Sequence, residues 1–191
     1  SEFYTRLGSS EALYAKYRAI APESLTTEQR QAHKNALRDF VLGGAELTGD
    51  KRTRYAEIQH RLAELTQKFN ENALDATDAY AYYTSDDELT GIPEDVRRAA
   101  HAQARDDGRD DFKLTLRMPC YLPVMQFAES SALRARLYRA YVTRASDQAD
   151  EKTRVYDNAG VMREILMLRR EEARLLGYAN FGELSLVPKM A

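Results

Sequence analysis

Residues 48–75 have the sequence TGDKRTRYAEIQHRLAELTQKFNENALD, which carries the clearest periodic pattern in the chain. Its apolar side chains recur in alternating steps of three and four residues, and charged side chains fill most positions between them. The repeating positions are Tyr55, Ile58, Leu62, Leu65 and Phe69. This pattern predicts a long amphipathic helix that packs along an antiparallel neighbour, with Leu62 and Leu65 in the core.

Further helices are predicted on both sides of this segment, each with a recognisable start or stop signal. Thr26 or Thr27 can cap a helix that Gly43-Gly44 ends, and Asp157 or Asn158 can cap a long helix that ends at Gly177. The other predicted helices are residues 11–20 before Ala21-Pro22, a helix between Ile92-Pro93 and Gly108, a short turn or helix around Pro119 and Pro123, a helix through Leu133 and Tyr141, and one turn after Asn180.

Two short segments show a different period. Residues 78–84 and 112–116 alternate with a period near two and are rich in Tyr, Thr and Phe, which favours two paired strands. No Ser/Gly-rich linker divides the chain. The sequence therefore predicts an all-α protein, one helical domain over residues 1–191 with a small two-stranded β insertion at about 78–117.

Composition favours some classes of protein over others. The 28 Lys and Arg residues nearly balance 30 Asp and Glu residues, so the charge balance gives no reason to expect nucleic acid or an anionic membrane as partner. The single cysteine, Cys120, fits a reducing compartment, and no apolar run reaches the length of a spanning helix. We expect a cytoplasmic protein that does not enter a membrane.

A zinc hydrolase needs two imidazoles on one helix face, a third ligand and a carboxylate that activates water. The three histidines, His33, His60 and His101, are too far apart in sequence to form an H-E-x-x-H motif. Cys120 has no nearby histidine to activate it and is expected to be a small buried side chain. No catalytic, cofactor-binding or metal residue is therefore predicted in this chain.

Three further segments resemble functional motifs but favour a structural interpretation. Residues 44–51 lack the lysine of a phosphate-binding loop at the required position, because Asp50 stands there. Residues 106–111 are acidic but do not match the ligand spacing of an EF-hand, so they predict a solvated turn. Tyrosines lie between the arginines of a later predicted helix, as in an RNA-binding surface; these arginines are Arg134, Arg136, Arg139 and Arg144. They flank a core face, however, and a run of charges usually marks the solvated face of a helix.

Several ordered segments resemble the thimet oligopeptidase family of zinc metallopeptidases. The strongest matches are the segments YLPVM (121–125), RLYRAYVTRAS (136–146), LLGYANF (175–181), Ser185-Leu186 and KMA (189–191). Further matches in the same order are NALDAT (72–77), ELTGIP (88–93), LTL (114–116) with Pro119, and EIL (164–166) with Leu168-Arg169. Residues before about 45 match more loosely, chiefly through NALRDF (35–40).

The resemblance implies a largely helical, cytosolic endopeptidase whose zinc lies in a channel between two helical halves and which hydrolyses short peptides. This chain would form part of one channel wall, and the remaining catalytic domain of the same chain would be its partner. The family's zinc ligands and catalytic glutamate would lie beyond Ala191, so the isolated chain is expected to be inactive and free of zinc. The structural positions carried over are Pro123, Gly177 and Asn180.

Two alternatives remain open from the sequence. Residues 143–147, TRASD, look closer to the oligopeptidases than to the dipeptidyl carboxypeptidases of the same family, which remain an alternative. The heptad-like run from Tyr55 to Phe69 also fits a stand-alone helical interaction domain.

Overall fold

The computed structural model describes residues 2–189, and the end of the 189–191 motif lies outside the described residues. The helices in this range are α1 (Glu2–Gly8), α2 (Glu11–Arg18), α3 (Thr27–Leu42), α4 (Gly49–Ala79), α5 (Glu94–Asp106), α6 (Met118–Phe127), α7 (Ser131–Thr143), α8 (Ala159–Leu175) and α9 (Phe181–Leu186). The strands are β1 (Tyr82–Thr84) and β2 (Phe112–Leu114). The prediction of an all-α protein with a small β insertion is confirmed.

The chain folds into two compact units, and α4 and α8 each contribute residues to both. The first unit contains the residues up to Gln67 and those from Arg163 onward, and the second contains residues 68–162. That residues 1–191 behave as one domain remains a prediction.

In the first unit, α4 and α8 run antiparallel, as the heptad-like pattern predicts. Arg54 of α4 pairs with Glu171 of α8 at 2.7 Å, and Arg61, two turns later, pairs with Glu164, two turns earlier. Beneath these ion pairs Tyr55, Ile58 and Leu65 of α4 are buried, together with Leu168 and Ala173 of α8. Leu62 is only half-buried, so its prediction as a core residue is wrong; Ile58 and Leu65, two turns apart on one face of α4, are the buried positions on either side of it.

The helix caps in the first unit follow the sequence signals. Thr26 begins α3 with a capping box in which its hydroxyl accepts from the backbone N–H of Gln29 and the Gln29 side chain accepts from the backbone N–H of Thr26. Gly43 follows the last residue of α3, as predicted. The ring of Phe40 on α3 lies 5.8 Å from that of Tyr14 and 5.3 Å from that of Tyr17, so aromatic contacts join α2 to α3.

The second unit packs α5, α6 and α7 around the two-stranded sheet. β1 and β2 are antiparallel, with Tyr82 opposite Leu114 and Thr84 opposite Phe112, so the two alternating segments do pair. Pro123 lies inside α6 instead of ending it. The most buried members of the core, each 0–2% exposed, are Leu89, Ala100, Leu114, Leu116, Val124, Leu133 and Leu137.

The least exposed polar side chain of the second unit is that of Asn158; Thr84, Thr115 and Thr153 are also buried there. Asn158 is 1% exposed, donates from Nδ2 to the carbonyl of Phe69 at 3.0 Å, and accepts from Asn72 Nδ2 at 2.8 Å. Both hydrogen bonds offset the cost of burying the amide. The Asn158 side chain is therefore not the cap of α8; Asp157 Oδ1 accepts from the backbone N–H of Ala159 instead.

No helix among the described residues is long and apolar enough to cross a membrane.

Candidate functional site

An open groove of about 950 Å³ lies within the second unit. One wall is a stripe of α7, and the second is the segment that follows α7, residues 148–154. Tyr80, Ala81 and Tyr82, where α4 gives way to β1, form the third wall. The volume is that of a pocket for a small molecule or a short peptide.

Small side chains create the open space. Ala132, Ala135 and Ala140 line the groove from α7, and Ala81 and Ala149 line it from the other walls. An alanine side chain ends at Cβ, so the surface of α7 between its arginines leaves room for a ligand. The longer arginine side chains project beyond the alanines.

Four cationic side chains line the groove, Arg136 and Arg139 from α7 and Lys152 and Arg154 from the segment after it. None of them forms an ion pair with a carboxylate of residues 2–189. The guanidinium carbon of Arg136 lies 4.5 Å from the centroid of the Tyr82 ring, and Arg154 donates to the carbonyl of Ala149 at 3.3 Å. Arg139 and Lys152 have no side-chain partner in the described part of the chain.

The tyrosines differ in what they offer to a ligand. The hydroxyl of Tyr82 donates to Glu88 at 2.9 Å, and Thr84 donates to the same carboxylate at 2.6 Å. The hydrogen bond from Thr84, followed by that from Tyr82 and a smaller contribution from the nearby Arg136 charge, holds the pKa of Glu88 below its ordinary value. Tyr80 is half-buried, burial raises its pKa, and its hydroxyl has no hydrogen-bond partner among residues 2–189.

Two carboxylates also line the groove. Asp150 Oδ1 accepts from the backbone N–H of Thr153 at 3.1 Å and from the Thr153 hydroxyl at 2.9 Å, so it caps its own turn. Glu151 is exposed. The groove therefore has more positive than negative side chains, although the whole chain has a formal net charge of −2.

The three histidines lie on three different helices, and each contacts a different group. His33 Nε2 lies 2.7 Å from the carbonyl oxygen of Tyr17, His60 lies beside Glu64 on the surface of α4, and His101 Nε2 lies 3.3 Å from Asp110. Among residues 2–189, no group of three or more His, Cys, Asp or Glu side chains could hold a metal ion. The described residues therefore do not fit a zinc ion.

The acidic segment 106–111 is a turn whose carboxylates contact nearby side chains. Asp107 accepts from Tyr83 at 2.6 Å and pairs with Lys113 at 2.7 Å, while Asp111 pairs with Arg109. The hydrogen bond from Lys113, followed by that from Tyr83, lowers the pKa of Asp107. The carboxylates of Asp107 and Asp111 are thus paired with cations from β2 and from the turn itself.

The other two segments also have structural roles. Residues 44–51 form the turn after α3 and the first residues of α4. Cys120 is buried, and its Sγ accepts from the backbone N–H of Thr115 at 3.3 Å, as expected for a small buried side chain. Burial raises the pKa of its thiol.

The four arginines of the predicted surface stripe divide into two pairs. Arg134 donates to the carbonyls of Ala128 and Glu129, and Arg144 donates to the carbonyl of Tyr141. Both side chains therefore bind backbone carbonyls of residues shortly before them in the sequence. Arg136 and Arg139 line the groove instead. The groove was not predicted from the sequence, although the alanines between the α7 arginines were a signal for one of its walls.

Comparison with known proteins agrees with the resemblance seen in the sequence. The family model of peptidase family M3 matches residues 124–191. Oligopeptidase A of Salmonella typhimurium is 45% identical over the whole chain, and the probable cytosolic oligopeptidase A of Arabidopsis thaliana is 37% identical over the whole chain. The chain spans 29% and 28% of the length of these two relatives.

The dipeptidyl carboxypeptidases are also related, but more distantly. The dipeptidyl carboxypeptidase of Salmonella typhimurium is 29% identical over 80% of the chain, which spans 22% of that relative. Identity is thus higher, and extends over more of the chain, with the two oligopeptidases A. These matches run through both units, and they show that the chain is related to one part of the oligopeptidases of peptidase family M3.

Proposed function

We propose that the chain is part of a zinc-dependent oligopeptidase that hydrolyses short peptides, and that it forms part of the helical wall of the substrate channel. The observation that supports this most is the 45% identity to an oligopeptidase A along the whole chain. The activity belongs to the longer protein, because the chain spans less than a third of such relatives.

In this proposal the metal site lies outside the chain. The zinc ligands and the glutamate that activates water are supplied by the remaining catalytic domain, and no residue described here takes part in the chemical step. Zinc supplies a water-derived nucleophile and polarises the peptide carbonyl when bound there.

The chain's own contribution is a stiff wall. Arg54–Glu171 and Arg61–Glu164 join α4 to α8 over a buried apolar seam, which holds the two helices in one register. A wall of this kind keeps its shape when a peptide enters, so little conformational entropy is lost on binding. We further propose a cytoplasmic location, which the single reduced Cys120 supports.

The experiment compares the 191-residue chain with the longer protein that contains it. Each is purified and dialysed, its zinc is measured by elemental analysis, and cleavage of a quenched fluorescent peptide is followed with and without a chelator. We expect stoichiometric zinc and chelator-sensitive cleavage from the longer protein, and neither from the chain. Zinc together with cleavage in the chain would place the active site within these residues and refute the proposed division.

The products separate the family alternatives. Mass spectrometry of a digested peptide should show internal cleavage if the longer protein is an oligopeptidase. Release of successive dipeptides from the carboxyl end would identify a dipeptidyl carboxypeptidase instead. A gene that encodes no H-E-x-x-H motif after residue 191 would favour the stand-alone interaction domain.

A further inference from the structure

The groove in the second unit differs from the helix pair of the first unit in how its cations are neutralised. On α4, the exposed Arg54 and Arg61 each pair with glutamates of both α4 and α8. In the groove, Arg136, Arg139 and Lys152 form no ion pair with any described carboxylate. The groove still has four cationic side chains against the two carboxylates of Asp150 and Glu151, and an excess of cations on one concave surface attracts an anionic ligand.

We propose that this groove binds the carboxylate side chains of acidic peptides, and that it gives the longer peptidase a preference for substrates that contain Asp or Glu. The inference rests on the proposed function only in taking peptides as the substrates. Binding to the groove itself requires no metal and no catalysis.

The donors around the groove suit a carboxylate. Arg139 has a planar guanidinium that can donate two parallel N–H groups to one carboxylate, and Lys152 adds a second charge from the facing segment. The hydroxyl of Tyr80 is a further donor without a partner among residues 2–189. Arg136 is held over the Tyr82 ring and contributes charge from a fixed position.

The carboxylates in the groove favour a peptide over a nucleic acid. Asp150 and Glu151 would repel a backbone that carries a negative charge at every nucleotide, whereas a peptide can place neutral residues beside them. The ring of Tyr82 is covered by Arg136, so it is not an open platform on which a base could stack.

Binding is tested on the 191-residue chain with two fluorescein-labelled peptides, one of alternating Gly and Glu residues and one with Gln in place of each Glu. Fluorescence anisotropy at low salt should show binding of the Glu peptide only. Arg139→Gln and Lys152→Gln should each weaken it about fivefold, the equivalent of about 1 kcal/mol for a charge-assisted contact at a partly exposed site. Added salt should weaken binding further.

The matched control is Arg98→Gln. Arg98 is an exposed arginine on α5 outside the groove and, within residues 2–189, also lacks an ion pair. This variant should bind the Glu peptide as the unaltered chain does, and circular dichroism should show that all variants are equally folded. Equal loss in Arg98→Gln and Arg139→Gln, or no binding of the Glu peptide, would overturn the proposal. Tighter binding of a labelled single-stranded oligonucleotide would identify a nucleic-acid surface instead.

A second measurement uses the longer protein and separates this inference from the proposed function. Arg139→Gln should lower kcat/KM for a Glu-containing peptide about fivefold through KM and leave kcat/KM for the Gln peptide unchanged. Cleavage with no change in selectivity would refute the proposed binding of acidic peptides in the groove but would support the proposed peptidase activity. If the Glu peptide binds in the anisotropy assay but the longer protein cleaves no peptide, the groove proposal would stand and the proposed peptidase activity would be refuted.

Discussion

Leu62 and Leu65 provide a direct test of how α4 packs. They stand three residues apart on one helix, and the sequence pattern assigns both to the core. In the structure Leu65 is 2% exposed, whereas Leu62 is only half-buried. Leu65→Ala and Leu62→Ala remove the same atoms and change helix propensity equally, so the difference between them isolates burial.

The expected magnitudes follow from the two exposures. Leu65→Ala removes a fully buried side chain and leaves a cavity, so it should lower the free energy of unfolding by about 2–5 kcal/mol. Leu62→Ala loses roughly half of the transfer free energy of a leucine and opens no closed cavity, so about 1 kcal/mol is expected. A difference of this size is measurable against a typical total of about 5–15 kcal/mol.

The assay is urea unfolding of the chain and both variants, followed by far-ultraviolet circular dichroism. Similar slopes for all three would allow the midpoints to be compared as stabilities. Equal losses for the two variants, or a larger loss for Leu62→Ala, would show that the α4 seam has been assigned to the wrong face.

Two further predictions concern a backbone position and a half-buried carboxylate. Gly91 has φ +87°, and an added Cβ would press on the carbonyl oxygen of Phe127, so Gly91→Ala should cost about 2 kcal/mol or more in urea unfolding. Gly108→Ala, at φ +74° with open space around it, should cost only about 1 kcal/mol, and equal costs would refute the contact. Burial raises the pKa of Glu172 in the folded chain, although Gln59 donates a hydrogen bond to its carboxylate at 2.7 Å. The folded state therefore favours the protonated form of Glu172, and the stability that this form contributes is complete below about pH 4. That stability is lost as the pH rises through the folded-state pKa. Glu172→Gln should therefore stabilise the chain at about pH 7 and have no effect at about pH 4, and a gain that is the same at both would contradict this.

The sequence by itself determined the helices and the strand pair. Thr26, Gly43 and Gly177 act within a few residues of chain, and their caps and stops lie where the sequence predicts them. The antiparallel contact of α4 was also predictable, because a repeat of apolar positions every three or four residues allows few other ways to bury the stripe. The family resemblance, too, depended on residue order alone.

The tertiary structure decided which members of each pattern are buried and which residues meet. Periodicity has an angular uncertainty of about one helix position, so it could not separate Leu62 from Leu65. The sequence predicted Asn158 as a possible local cap, but its amide bonds to Asn72 and Phe69, far away in sequence. The groove joins α7 to Lys152 and Tyr80 from segments with no shared pattern, and only the packing of the chain brings such side chains to one surface.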